Sequence, residues 1–272
     1  MLELPELETY RALLAEQLAG AQITAVEIDQ EKLFPISESD KVRDLIGSAL
    51  WFVERRGKYL LFHLDNGKRL LLFLQQAASL YVGSKDDAPE RNAQLRLAFG
   101  DKILYIAGIR AGDLQLVTAR EALDQLTAIG PDPLQKNLTL ERFIARFAKK
   151  RGPVKTALMD QALLSGIGAV YSDEICYEAE VRPDAKVPAL QPADWERLYE
   201  AMHKVLKEAI ASGGITQQPF CAEDRFTGGF LPKLKVYGRE GELCARTGLP
   251  IEKIDVSGRK AYASPALQPI NE

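Results

Sequence analysis

The chain has 272 residues, 46% of them apolar and 27% charged, with a formal net charge of −3. This is the composition of a folded protein, long enough to bury a substantial core in each of two ordinary-sized domains. Its longest apolar runs, such as residues 70–74, stop far short of a membrane span. Three cysteines and two histidines are too few for a disulfide framework or a histidine-rich metal centre. The acidic opening lacks the basic and apolar regions of a secretion signal, so a cytosolic protein is expected.

In chain order, residues 4–18 carry Leu7, Leu13, Leu14 and Leu18 at helical spacing and end at Gly20. From about residue 23 to 117 the pattern changes to short β-prone runs at 49–55, 58–64, 68–74, 78–82, 94–99 and 102–106. Turn signals such as Asp65-Asn66-Gly67 separate them. This predicts a β-sandwich or barrel with the first helix packed on it. Gly130-Pro131-Asp132-Pro133 is the best domain boundary, and helical spacing follows over 139–148, 153–164, 169–179 and 192–211. The last section predicts short strands at 233–238, 242–248, 251–256 and 259–264.

Charge distribution says more than the net value. Residues 146–155 hold five basic side chains (Arg146, Lys149, Lys150, Arg151, Lys155) and no acid, and residues 225–260 hold eight basic against four acidic. Such runs are ordinarily solvated faces; beside Gly166-Ile167-Gly168 between two helical patterns, they suit a backbone grip on nucleic-acid phosphates.

Five blocks give the chain a specific resemblance. They are residues 3–9 (opening Glu3-Leu4-Pro5-Glu6), Arg56-Gly57-Lys58-Tyr59-Leu60, Gly130-Pro131-Asp132-Pro133-Leu134, residues 158–174 with Gly166-Ile167-Gly168, and residues 236–242 from Val236-Tyr237-Gly238. In order and spacing this series resembles the formamidopyrimidine-DNA glycosylase / endonuclease VIII family. The resemblance implies an α+β fold in three parts. These are an N-terminal helix plus β-sandwich (1–130), a helix-two-turn-helix domain (131–230) and a C-terminal β-hairpin finger (231–272), with DNA lying between the first two. It implies DNA as partner, no cofactor, no membrane association and a monomer. Lys58, Gly166, Gly168 and Arg259 fall on positions that meet DNA in that family, Arg110 is retained as a phosphate-binding arginine, and Lys155 joins them as a cation just upstream of the glycine turn. Lys58 and Arg259 also suit a plain surface lysine and a solvated hairpin arginine.

The same resemblance exposes departures. The family's N-terminal proline, whose amine attacks the sugar C1′, is replaced by Leu2. With Met1 expected to remain, the amine moves outward by roughly 3.3–3.6 Å of chain. A displacement of this kind costs about a hundredfold in rate. Glu3 keeps the place of the catalytic acid, and also suits a helix N-terminal charge. The side chains that fill the hole left by a flipped base become Gln76, Ile109 and Ala111, and a phosphate-binding asparagine becomes Ala169. The four finger cysteines become Cys244, Thr247, Ser264 and Leu267, so no structural zinc is expected. The expected function is a DNA-repair protein that recognises damaged, distorted or branched DNA with little or no AP-lyase activity. The alternative is a monofunctional glycosylase releasing alkylated purines with Glu3 and water; a small-molecule hydrolase has no supporting residues.

Overall fold

The computed structural model describes residues 2–29, 40–75 and 77–269, so Gln76 and Met1 lie outside the described residues. The chain divides into two compact units, Met1–Thr127 with Ser212–Gly229, and Ala128–Ala211 with Phe230–Glu272.

In the first unit, α1 (Leu4–Leu18) starts at the Glu3 cap with Pro5 in its first turn, where a missing amide costs no hydrogen bond. Then come β1 (Ala25–Ile28), α2 (Asp40–Leu45), β2 (Leu50–Arg56), β3 (Tyr59–Leu64), β4 (Lys68–Phe73), β5 (Ser79–Gly83), β6 (Leu95–Phe99), β7 (Lys102–Ala107), β8 (Leu114–Thr118) and α3 (Ala119–Leu126). The strands form two four-stranded antiparallel sheets, β1-β6-β7-β5 and β2-β3-β4-β8. Period-two alternation turns one face of each inward. Leu60, Phe62, Leu70 and Leu72 from one sheet and Leu80, Leu97, Leu104 and Ile106 from the other share a core with Leu7, Tyr10, Leu14 and Leu18 of α1. This is the predicted helix-plus-sandwich.

The second unit holds α4 (Leu140–Phe147), α5 (Val154–Leu158), α6 (Ala169–Glu178), α7 (Pro192–Ala211) and a hairpin of β9 (Glu252–Val256) and β10 (Arg259–Ala263). Helix spacing predicted over 153–164 stops at Leu158. The Asp160 carboxylate accepts the Ala162 amide at 3.0 Å, turning the chain out of the helix. Gln161 then staples the two-turn segment, donating to the Met159 and Ile167 carbonyls (each 2.8 Å) and accepting the Gly166 amide at 2.8 Å. Of the four strands predicted after residue 231, only the last two form. Residues 231–233 make a 3-10 turn, and the chain at 244–249 doubles back through Cys244 N to Leu249 O and Gly248 N to Cys244 O.

Carboxylates of α6 hold this C-terminal region. The Glu174 carboxylate accepts the amides of Lys235, Val236 and Tyr237 at 2.8, 3.0 and 2.9 Å. Burial pushes the Glu174 pKa up, and those amides pull it back. Glu174→Ala leaves three amides without their acceptor, and urea unfolding is expected to show a loss of about 3 kcal/mol.

Candidate functional site

The start of the chain is built around buried groups. Leu2 is only 4% exposed and belongs to the sandwich core. Glu3 and Glu6 are also buried, and they close a capping box at the head of α1: the Glu3 amide donates to Glu6 Oε2 at 2.9 Å, while the Glu3 carboxylate faces the Glu6 amide. The second oxygen of Glu6 accepts the Ile215 amide at 3.0 Å. Gly214 beside it has φ +67°, and a Cβ there would run into the Glu6 carboxylate. Segment 212–229 is therefore seated on α1, and its Phe220 ring lies 5.6 Å from Tyr10. Burial pushes the Tyr10 phenol up to about 12.

Three turns meet at one end of the sandwich. Lys58, half-buried, occupies the β2–β3 turn. That turn is tied to α1 through Arg55, which donates to Glu8 at 2.9 Å and to the Gly57 carbonyl at 3.4 Å. The Leu74 amide donates to the Lys58 carbonyl at 3.3 Å, which brings in the second turn. Asp113 organises the third, accepting the Arg110 amide through Oδ2 and the Gln75 side chain through Oδ1, each at 2.8 Å. Arg110 is thereby presented to solvent on a fixed backbone. Ile109 is buried in the core and Ala111 is exposed and small. Neither reaches out as a wedge.

In the second unit, Gly166 has φ +91°, a conformation that favours glycine, and Gly168 caps α6 without a side-chain cap bond. Both are buried, as is Ile167 between them. Lys155 requires a correction. Its side chain is fully buried, with Nζ 2.6 Å from Asp173 Oδ1 and 3.0 Å from the Ala169 carbonyl, so its charge is spent inside the fold. Within its run, Arg146, Lys149 and Arg151 are the exposed cations, with Arg146 donating to the Ala162 and Leu163 carbonyls. Burial pushes Asp173 up to about 7 against the pull of Lys155. Arg259 is exposed just after the tight Ser257-Gly258 turn of the hairpin. Sequence reasoning placed Glu6 on a family position without assigning it a role, although the Glu3–Glu6 spacing is the signature of a capping box.

The four positions expected to replace zinc ligands do not make a metal site. Cys244 Sγ lies 3.3 Å from the Tyr177 hydroxyl, and Thr247 and Ser264 hydroxyls are 3.4 Å apart. Leu267 packs against the small core that contains Cys244, Val236 and Ile251. One thiol, two neutral hydroxyls and a leucine do not fit zinc. Burial pushes the Cys244 thiol up, but hydrogen bonds from Ser264, Thr247 and Tyr177 outweigh it and bring the group to about 6.

A sandwich joined in sequence to a helix-two-turn-helix unit, with exposed arginines on both, defines a DNA-binding protein of the glycosylase class. Comparisons agree. The family model described as the formamidopyrimidine-DNA glycosylase N-terminal domain matches residues 1–113, and that for its H2TH domain matches residues 129–220. The chain is 32% identical to the formamidopyrimidine-DNA glycosylase of Listeria innocua, covering 98% of this chain and all of that one. It is 30% identical to that of Lactococcus lactis, covering 98% and 99%. The structure of Lactococcus lactis Fpg in complex with DNA containing an abasic site superposes with a TM-score of 0.91 at 28% identity, over 98% of this chain and all of that one. The chain belongs to the formamidopyrimidine-DNA glycosylase family of DNA-repair proteins.

Two outcomes follow from the second unit. Lys155→Ala strands the Asp173 carboxylate in the interior and is expected to cost about 3–5 kcal/mol in denaturant unfolding. Adding Asp173→Asn should restore part of that loss. The folded Cys244 thiol ionises near 6 and the ordinary thiol near 9. Between those values the unfolded chain holds a proton that the folded chain has released, so stability rises with pH from 6 to 9 and the gain is lost as pH falls through 6. Melting curves across that range are expected to show the rise, and Cys244→Ser to abolish it.

Proposed function

We propose that this chain binds damaged, distorted or branched DNA and has little or no AP-lyase activity. The observation that carries the reading is Leu2. It stands where the family resemblance puts the proline nucleophile, and its side chain is part of the sandwich core. A core leucine offers no secondary amine, and moving it out of the core has a hydrophobic cost of roughly 2 kcal/mol. The grip on DNA is assigned to Lys58, Arg110, Arg259 and the Gly166–Gly168 turn. These contact phosphates without reading sequence. Without protruding side chains at 109 and 111, DNA that is already opened is favoured over an intact duplex, because unstacking a base costs a few kcal/mol.

Release of alkylated purines is the second reading, and the burial of Glu3 beside Glu6 favours it. A carboxylate removed from water is the group able to activate a water molecule against a cationic leaving base. Its engagement in the capping box argues the other way. A gel-shift panel of duplex, nicked, abasic and four-way-junction DNA, run beside a base-release assay, separates the two.

Borohydride trapping on abasic DNA is expected to give little or no covalent adduct. Leu2→Pro alone is expected to restore little, since Ile109 and Ala111 remain; trapping at rates ordinary for the family in the unaltered protein contradicts the proposal. Arg110→Ala and Arg259→Ala should each weaken binding to all sequences alike and reduce the slope of log affinity against log salt by about one. Unchanged affinity and slope in both variants contradict the assigned grip.

A further inference from the structure

The outer face of sheet β1-β6-β7-β5 carries a cavity that none of the groups above uses. Leu80, Leu104 and Ile106 turn inward, so alternation turns Tyr81 and Tyr105 outward. The two are direct cross-strand partners, with ring centroids 6.3 Å apart and planes at 56°. Residues 84–91 arch over them. The Tyr81 hydroxyl donates to Asp87 Oδ1 and the Tyr105 hydroxyl to the Ser84 carbonyl, each at 2.7 Å. Arg91 anchors the far end of the arch on the Ala77 carbonyl. Between arch and sheet lies a cavity of about 360 Å³, walled further by Gln218 and Pro219 of the segment that returns from the helical unit. Its volume falls in the range of roughly 300–1,000 Å³ typical of small-ligand sites.

We infer that this cavity binds a nucleobase, free or carried by a DNA strand, stacked against the Tyr81 ring. Both hydroxyls are committed to the arch, so the rings are held in fixed planes; the part-exposed Tyr81 offers π surface to a ligand, with the buried Tyr105 backing it. The rim supplies mixed hydrogen-bonding chemistry: Glu90 accepts, Arg91 donates, and Gln218 does both. One cation and one anion give the rim no net charge, so it suits the edge of a neutral heterocycle better than a phosphate. The cavity ends at Ser79 and Ala107, next to the turns that hold Gln75 and Arg110. A base displaced from a strand gripped by Arg110 has this cavity as its neighbour. No lining residue belongs to the Glu3–Glu6 centre, so the inference stands or falls apart from the proposed loss of lyase chemistry.

The test uses the full chain. In one arm, guanine, 7-methylguanine, adenine and thymine are titrated calorimetrically, with inorganic phosphate as control. In the other, 2-aminopurine fluorescence is followed in a strand carrying that base opposite an abasic site. Saturable binding of a free base, or burial of 2-aminopurine, is expected in at least one arm and tells which source supplies the base. Phosphate is expected not to bind. Tyr81→Phe keeps the ring but frees it from Asp87 and should weaken binding less than Tyr81→Leu, for which a loss of about tenfold is expected. If Tyr81→Leu does not fold, Gln218→Leu decides, with a loss of about threefold or more expected from the missing rim contacts. Absence of binding in both arms overturns the assignment. So does affinity unchanged in a folded Tyr81→Leu or, where that variant fails to fold, in Gln218→Leu.

Discussion

Leu2, Glu3 and Glu6 lie out of water at the head of the chain, as do Leu4 and Pro5 between them, and the first unit is arranged around keeping the two carboxylates there. Two carboxylates in one helical turn repel each other and lose hydration, so each needs donors. The head of α1 supplies amide donors and a positive dipole end, and the Ile215 amide completes the set for Glu6. That bond draws segment 212–229 out of the helical stretch of sequence and seats it on the sandwich, where Phe220 joins the core. A capping box is a stabilising device, and the proposed base release would draw on the same Glu3 carboxylate that closes it.

The C-terminal hairpin solves a related problem. In zinc-finger peptides a structural zinc supplies on the order of 10–16 kcal/mol. Here the work is spread over weaker contacts. Glu174 takes three amides, Asp173 takes the Tyr262 amide at 3.1 Å, and Gln268 links the Ser264 amide to the Val181 carbonyl. Each such bond contributes on the order of 1–3 kcal/mol. The hairpin therefore depends on α6, and α6 begins at the glycine turn assigned to DNA. Lys155 is drawn into this network by Asp173, which accounts for a cation leaving the surface where its neighbours remain.

Much of this was legible in the sequence where a single period or a short local pattern decides the outcome. Short β-prone runs at 94–99 and 102–106 identified strands, and the Gly166-Ile167-Gly168 turn was visible from glycine placement. The helix at 119–126 was missed although Thr118 and Glu121 spell its capping box, because the apolar run before it read as the end of a sheet. The return of 212–229 and the burial of Lys155 were not legible. Each rests on a partner far away in sequence, Glu6 for one and Asp173 for the other, and no local pattern marks such pairs. At Cys244 the loss of metal ligands was plain, but the hydroxyls gathered around the thiol were not.

The central claim is that Leu2 serves the core and not the chemistry. Unfolding of Leu2→Ala in urea, measured beside DNA affinity and base release, tests it most directly. The account predicts a stability loss of about 2–4 kcal/mol, as for other buried leucines, with affinity and any base release unchanged under conditions where the variant is folded. Unaltered stability together with a loss of base release or binding would contradict it.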